Sequence, residues 1–445
     1  MSKQRERTYE PATVPFGATP AKEIPSVRGW ANPAVWTERM LTTLEQGVRG
    51  GKWHTLIDKV FAPLNLFDAS RNVIGNRGAA GVDHQSVDDF QGNRKRELER
   101  LHEALRTNTY RPQAVKRVWI DKPGSKEKRP LGVPTVRDRV VQTALLHVLE
   151  PIFDNTFSEY SYGFRRGRGC HHALERVEAL LNEGYVYVVD ADLKSYFDTI
   201  SKPRLMDHVR AKVSDSRVLE LVDMFLAQGI LEDMHEWTPE KGTPQGAVLS
   251  PLLANIYLNP LDHLLTNTGY AVVRYADDFV ILCKTPQEAE RALGVVKEWV
   301  QENELTLHPT KTKIVDAREA GFDFLGYHFE GKLRLPREKS LEKLEETVRS
   351  QTKRNNGRDM RCICARLSSQ LRGWFTYFRH CHWRTFRDID KWIRGRLRSI
   401  LRKRAGRRGR GRGKDHQRWP NAFFDEHGLF SLNAAHTRFA QSSCR

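Results

Sequence analysis

The chain is short of three things: cysteine, long apolar runs, and acids to balance its bases. Six cysteines (Cys170, Cys283, Cys362, Cys364, Cys381, Cys444) are scattered over 445 residues. Such sparse use argues against a disulfide-built secreted scaffold and fits reduced thiols in a cytosol. Cys362-Ile363-Cys364 and His380-Cys381-His382 lack finger or ribbon spacing and fall on helix-like segments, so they read as core or surface residues rather than zinc ligands. No apolar run approaches the ~20 residues of a membrane span. Met1 to Glu10 is polar and charged, unlike a signal peptide. The expectation is a cytoplasmic protein with no membrane partner. Gly75 to Asp83 is a glycine-rich loop without the lysine and hydroxyl residue of a P-loop, which leaves a nucleotide-phosphate cradle there a weak reading.

What is present is positive charge. The formal net charge is +18, and hydrophobic residues make up 39%. Between Trp392 and Lys414 there are eleven Arg or Lys and no acid. A clustered excess of this kind points to a polyanionic partner, most simply nucleic acid. The length exceeds one ordinary core, so two or three lobes are expected.

Composition divides the chain. Residues 1–30 carry four spaced prolines and read as an extended arm. Residues 31–70 show helical apolar stripes. Val115 to Ile120 reads as a strand, followed by a basic turn from Lys122 to Arg129. Thr135 caps a helix whose apolar face is Val140, Val141, Ala144, Leu145, Val148 and Leu149, with Asp138 in its first turn. A helix from His172 to Leu181 leads into a strand, Tyr185 to Val189, ending at Asp190-Ala191-Asp192. Helices are expected near 203–229, 251–265 and 293–304, and a strand pair over Phe322 to Phe329. After residue 338 the pattern is helix only. Arg407 to Lys414 alternates arginine with glycine and cannot build a core, and Trp419 to Leu432 regains apolar residues as a small cap.

The chemistry concentrates in Arg274-Tyr275-Ala276-Asp277-Asp278-Phe279. Apolar runs on both sides make this a strand, a tight turn and a returning strand. Adjacent carboxylates repel unless a cation lies between them. Hard oxygen donors in this setting favour Mg²⁺. Asp192, ending another apolar strand, supplies a third acid. Three carboxylates on two neighbouring strand ends can hold two metal ions about 4 Å apart, the arrangement of nucleotidyl transfer.

Seven blocks in order resemble the group II intron-encoded reverse transcriptase/maturase family, over roughly residues 30 to 435. They are Arg129 to Arg139, Tyr162-Gly163-Phe164-Arg165, Asp192 to Asp198, Gly242-Thr243-Pro244-Gln245-Gly246, Tyr275-Ala276-Asp277-Asp278, Phe324-Leu325-Gly326-Tyr327 and Leu371-Arg372-Gly373-Trp374. The resemblance implies an α+β right-hand polymerase, with fingers and an antiparallel palm sheet, followed by an all-α thumb or maturase domain. The boundaries that follow are an arm over 1–30, N-terminal extension and fingers over 31–184, palm over 185–335, thumb over 338–404 and a basic nucleic-acid-binding extension over 405–445. It implies an RNA-directed DNA polymerase that also promotes splicing and mobility of its intron.

The roles it implies are specific. Asp192, Asp277 and Asp278 would be catalytic and would bind two Mg²⁺, or Mn²⁺ in substitution, with the Leu193 carbonyl as an extra ligand. Lys122 and Arg129 would grip the triphosphate of the incoming dNTP, Gln245 would contact that nucleotide or the template pair, Lys311 or Lys313 would neutralise phosphate charge near the site, and Phe197 would be a gate against a ribose 2′-hydroxyl. Arg165, Arg166 and Arg168 would track the template. Arg372, Arg379, Arg394, Arg396 and Arg398 would bind nucleic acid from the thumb, and Arg407, Arg408 and Arg410 from the extension. Partners would be group II intron RNA, an RNA template with a DNA or RNA primer, target DNA and dNTPs, in the bacterial cytosol or at the nucleoid. Many relatives end in an endonuclease with paired cysteines and histidines, which this chain is not expected to carry. Two other readings stand beside this one: a host-adopted enzyme of the same fold serving repair or defence, and a non-catalytic RNA chaperone.

Overall fold

A computed structural model describes residues 27–48, 50–121, 128–232, 235–243, 245–411 and 413–443. The arm before residue 27, Lys122 and Cys444 fall outside them. Eleven strands are present among the described residues: β1 (Val115–Asp121), β2 (Lys128–Val133), β3 (Tyr187–Asp192), β4 (Ile230–Glu232), β5 (His235–Trp237), β6 (Ala271–Tyr275), β7 (Asp278–Cys283), β8 (Lys313–Asp316), β9 (Phe322–Phe324), β10 (Tyr327–Glu330) and β11 (Leu333–Pro336). They form three sheets, ordered β2-β1-β4-β5, β6-β7-β3-β8 and β11-β10-β9.

The chain divides into two compact units. One runs to Leu180 and resumes over Val189–Ile314; the other is Leu181–Val188 with Val315–Arg445. The division therefore passes through β3 and β8.

In the first unit the helix Val136–Asp154 is central. Thr135 caps it as expected, its hydroxyl accepting the Asp138 N–H at 3.1 Å. Nearly every turn is buried, including Val140, Val141, Ala144, Leu145, Val148 and Leu149. Asp138 does more than complement the helix dipole. It is buried, and its carboxylate accepts the Tyr110 hydroxyl at 2.5 Å and the Gln113 N–H at 3.2 Å, which ties the approach to β1 onto the helix. The segment 31–70 is three pieces rather than one stripe: Glu38–Gln46, Ile57–Val60 and the start of Pro63–Asn76. Pro63 sits at the first turn of the last helix, where its missing N–H leaves no bond unmade.

The second unit holds a three-stranded meander and six helices. β9 and β10 join through Leu325 and Gly326, both at positive φ (48° and 79°), the geometry of a two-residue hairpin. The Tyr377 hydroxyl donates to the Leu325 carbonyl at 2.7 Å, which fastens this turn to the helix Met360–Phe378. The helices Glu338–Gln351, Met360–Phe378 and Trp383–Arg404 are followed by Lys414–Arg418, Asn421–Glu426 and Leu432–Ser443.

These last three helices change the expected boundary at 404/405. Asp390 on the long helix caps the last one, accepting the Ser431 hydroxyl at 2.6 Å and the Leu432 N–H at 3.1 Å. Ser368 bonds the Gly428 carbonyl at 2.7 Å and the Phe430 N–H at 2.8 Å. Arg402 meets the buried Asp415 at 2.5 Å. Most of the supposed extension is thus packed into the helical unit.

The strand expected over Tyr185 to Val189 is shifted to Tyr187–Asp192, so Asp192 is its last residue. After Asp192 the chain forms an antiparallel bridge between Leu193 and Leu307. Leu307 takes part in that bridge alone, and no strand runs over 305–307. Ser195 then turns through positive φ (50°) into a four-residue helix, Tyr196–Thr199.

His147 offers a test of the first unit. It lies buried on the central helix, with Asn65 at 2.8 Å from Nδ1 and Asn72 at 3.1 Å from Nε2. Burial, then the nearby Arg166 charge, pulls its pKa down to about 4. A lowered base pKa means that the unfolded chain binds a proton between pH 6.5 and 4 while the folded chain does not. Stability from this group is therefore complete above pH 6.5 and falls as the pH drops toward 4. We expect a loss of about 3 kcal/mol across that window in urea denaturation, absent in His147→Gln.

Candidate active site

The β6–β7 hairpin pairs Tyr275 with Asp278 and leaves Ala276-Asp277 as its loop. Ala276 is held at φ 60°. An L-residue adopts this conformation only when its surroundings enforce it. Arg274 does the enforcing. Its guanidinium is buried and donates to both oxygens of Asp262, at 2.7 and 2.5 Å. Its remaining donor reaches the Asn255 side chain and the Ala276 carbonyl, each at 2.8 Å. Asp262 and Asn255 come from one helix, Ser250–Asn267. The loop is thereby tied to a rigid element through a single fork of charge-assisted bonds.

The Tyr162-Gly163-Phe164-Arg165 block buttresses the same loop. Tyr162 N–H donates to the Arg274 carbonyl at 2.8 Å, and Arg274 N–H to the Tyr160 carbonyl at 2.9 Å. A Cβ at Gly163 would collide with the Ala276 nitrogen. Only glycine lets the two backbones approach so closely.

β7 and β3 are neighbours in their sheet. Asp278 opens one and Asp192 closes the other. Asp277 holds its proton above the ordinary carboxylate value. Burial is the largest cause; its own backbone opposes this, the Asp192 charge adds to it, and Arg129 and Arg274 pull the other way. The two carboxylates thus lie within each other's field. Asp192 meets Lys311, whose Nζ is 2.6 Å from Oδ2. Among the described residues no three acidic, histidine or cysteine side chains form a finished metal cage. Lys311 supplies a counter-charge to Asp192. An all-oxygen donor set, one member resisting ionisation, fits a hard divalent cation. The Leu193–Leu307 bridge uses the Asp192 carbonyl (to His308 N–H, 2.7 Å) and the Lys194 N–H (to Thr306, 2.8 Å). That pattern leaves the Leu193 carbonyl outside the ladder.

Phe197 is half-buried and meets Tyr196 edge-on, with ring centroids 5.5 Å apart. Tyr196 is buried, and its hydroxyl donates to the Ala254 carbonyl at 2.7 Å. The glycine-rich turn closes over this segment. Thr243 N–H donates to the Phe197 carbonyl at 2.7 Å, and a Cβ at Gly242 (φ 90°) would strike Asp198. The Gln245 amide donates to both Asp198 oxygens at 3.0 Å, while its backbone carbonyl accepts the Gly132 N–H of β2 at 2.6 Å. β2 also carries Arg129, which is exposed. Lys122 lies outside the described residues. Asp192, Phe197, Gln245, Arg129, Lys311, Asp277 and Asp278 all belong to the first unit.

Two template or nucleic-acid assignments fail on burial, those of Arg165 and Arg398. Arg165 is buried against Asp154 at 2.6 Å and the Ser158 carbonyl at 2.6 Å, so it folds its own loop. Arg398 is buried and donates to the Trp419 carbonyl and the Asn421 side chain. Arg394 is enclosed between Asp390 (3.8 Å) and Asp425 (3.4 Å). Arg396 is half-buried and bonds Thr352 at 2.6 Å. Arg168 is half-buried and donates to the Glu159 carbonyl. Arg166 is exposed beside Glu150 at 3.4 Å. Arg372 lies over Phe430 and Arg379 over Phe439, each 5.0 Å from the ring centre. Arg407, Arg408 and Arg410 are exposed. The residues that sequence reasoning gave no role are Arg274, Asp262, Asn255 and Asp198.

Removing Asp262 strands a buried guanidinium. Asp262→Ala should cost about 3–5 kcal/mol in urea denaturation, and the joint replacement Arg274→Met with Asp262→Leu should recover most of it.

Residues 120–329 match the family described as reverse transcriptase (RNA-dependent DNA polymerase). Residues 341–419 match the group II intron maturase-specific domain. The chain is 34% identical over 313 residues to protein YkfC of Escherichia coli K12, covering 61% of this chain and 82% of that protein. It is 37% identical over 216 residues to the group II intron-encoded protein LtrA of Lactococcus lactis subsp. cremoris, covering 46% of this chain and 35% of that one. Among solved structures it is similar to a chain of a partial Cas6-RT-Cas1–Cas2 complex, at 27% identity over 56% of this chain and 42% of that chain, with a TM-score of 0.36. The chain is a member of the group II intron reverse transcriptase/maturase family: an RNA-directed DNA polymerase whose α+β polymerase domain is followed by a helical maturase domain.

Proposed function

We propose that DNA synthesis by this chain takes place at Asp192, Asp277 and Asp278, on an RNA template with a DNA or RNA primer, and that the helical domain binds group II intron RNA to promote splicing and insertion into target DNA. The observation that carries the reading is the pairing of neighbouring strands, which sets Asp192 and Asp277 in one field with Lys311 on the first. Two Mg²⁺ ions held by these carboxylates, or Mn²⁺ in their place, would supply an activated primer 3′-hydroxyl and neutralise the triphosphate. The remaining work falls to the protein's own groups. Arg129 adds positive charge on the same side of the fold as Asp277 and suits the triphosphate of a dNTP. With a metal held by Asp192, Lys311 would lose this contact and would suit a phosphate. Phe197, pinned by the Thr243 N–H, presents a ring that a ribose 2′-hydroxyl would strike. The exposed Arg372, Arg407, Arg408 and Arg410 suit backbone contacts with RNA, which would weaken steeply with salt.

Primer extension with Mg²⁺ tests the reading. Asp277→Ala and Asp278→Ala should each lower DNA synthesis by at least ~10³-fold with RNA binding kept, and loss of both together in a folded protein would contradict it. Phe197→Ala should raise ribonucleotide use relative to deoxyribonucleotide use by roughly 10–200-fold. Gly163→Ala, which displaces the loop without touching substrate, should lower turnover by about 10²-fold.

A further inference from the structure

Helices Pro63–Asn76 and Arg94–Arg106 leave a groove of about 560 Å³ between them. Pro63, Leu66 and Phe67 wall it on one side, Leu98 and His102 on the other. Phe67 is 44% exposed, and Leu64, one turn before it, is 68% exposed. Among the described residues no other large apolar side chain is as open as Leu64. The walls are aromatic and braced. The His102 ring meets Phe61 edge-on at 5.5 Å, and the Arg94 guanidinium lies 3.9 Å from the Phe67 ring centre. Arg94 is already bonded within the wall, to the Ser70 hydroxyl at 2.8 Å and the Phe67 carbonyl at 2.9 Å. The groove therefore suits apolar surface rather than an anion. None of its residues belongs to the site proposed for DNA synthesis.

The sequence holds a segment of matching composition. Pro11 to Ala21 is eleven residues without a charge, in a chain of which 29% is charged. It carries Pro11, Pro15 and Pro20, with Val14-Pro15-Phe16 in its middle. Proline fixes its own backbone, so such a segment loses little freedom on docking, and aromatic-lined grooves are the usual receptors of proline-spaced chains. The point where the described chain begins agrees. Trp30 lines a hollow with Asp68, Arg71 and Asn72, on the same helix as Phe67. At helical spacing these residues occupy the flank next to the one that walls the groove, with Leu64 between the two. The eleven residues from Phe16 to Ser26 can span up to about 37 Å. A helix is only about 10–12 Å across. A tether this short holds the segment near the groove at an effective concentration on the order of millimolar.

We propose that this groove is the docking site of the chain's own Val14-Pro15-Phe16 segment, with the Phe16 ring seated between Phe67 and Leu98. Docking covers the open apolar face of the two helices and ties the start of the chain to the first unit. It goes beyond the function proposed above and does not rest on it.

The test uses the full chain with 4-benzoylphenylalanine in place of Phe16. Irradiation and peptide mass spectrometry should find crosslinks to residues 63–67 and 94–103, and Leu98→Glu should abolish them. Mixing with ¹⁵N-labelled chain before irradiation should leave the adducts almost all within single chains. Chymotrypsin supplies a second reading, since it cuts after an accessible Phe16. Leu98→Glu and Phe67→Ser should each speed that cut about tenfold over the unaltered chain, because cleavage tracks the undocked population. If Leu98→Glu does not fold, Phe67→Ser decides, for it alters a side chain already 44% exposed. Crosslinks between labelled and unlabelled chains would make the groove an interface between copies and overturn the proposal. Crosslinks elsewhere, or equal cutting rates in the folded variants and the unaltered chain, would overturn it as well. Primer extension by the same preparations reads the proposed function separately.

Discussion

One buried ion pair governs the geometry of the Ala276-Asp277 loop. Arg274 sits on a strand that is otherwise apolar, and its guanidinium has five donors to place away from water. Asp262 takes two of them in a bidentate clasp, and Asn255 and the Ala276 carbonyl take more. The pair is expensive to bury and would be a poor choice for stability alone. Its value is directional. It fixes where the Ala276 carbonyl points, and so where Asp277 leaves the backbone. The glycine of the Tyr162-Gly163 block and the Asn255 amide, which donates to the Gly163 carbonyl at 2.8 Å, close the other side.

Around this loop the fold collects carboxylates and the cations that face them. Asp277 resists ionisation chiefly through burial, and Asp192 adds to that resistance. Lys311 answers one carboxylate from an exposed position, where an ammonium moves readily. Arg129 acts from the β2 strand, which the Gln245 turn holds in place through the Gly132 N–H. The same turn holds the Phe197 carbonyl and, through the Gln245 amide, Asp198. A single glycine-rich turn thus sets Phe197 and the strand that carries Arg129 relative to each other.

Much of this was legible in the sequence, for identifiable reasons. The Tyr-Ala-Asp-Asp hairpin was readable because apolar runs flank the turn, and the Thr135 cap because a hydroxyl precedes an apolar stripe. The fate of Arg274 was not readable, because an arginine gives no sign of whether it faces water or a carboxylate twelve residues away. A signal did exist. Asn255 and Asp262 stand seven apart on an apolar helix, hence on one face, and both are buried. Arg165 was read as a template contact because it adjoins a glycine turn, yet its partner Asp154 closes the loop from inside. Arg398 and Arg394 looked like a basic helix face until the C-terminal helices covered it. Two of those helices are only five and six residues long, too short for periodicity to reveal.

Mn²⁺ bound to the full chain with primer–template and dNTP can be read directly by electron paramagnetic resonance. The account predicts two bound ions coupled at a separation of about 4 Å, with the coupling lost in Asp192→Asn. A Mn²⁺ signal that is the same in the unaltered chain and in Asp192→Asn would contradict it, because β3 and β7 would then not share a metal pair.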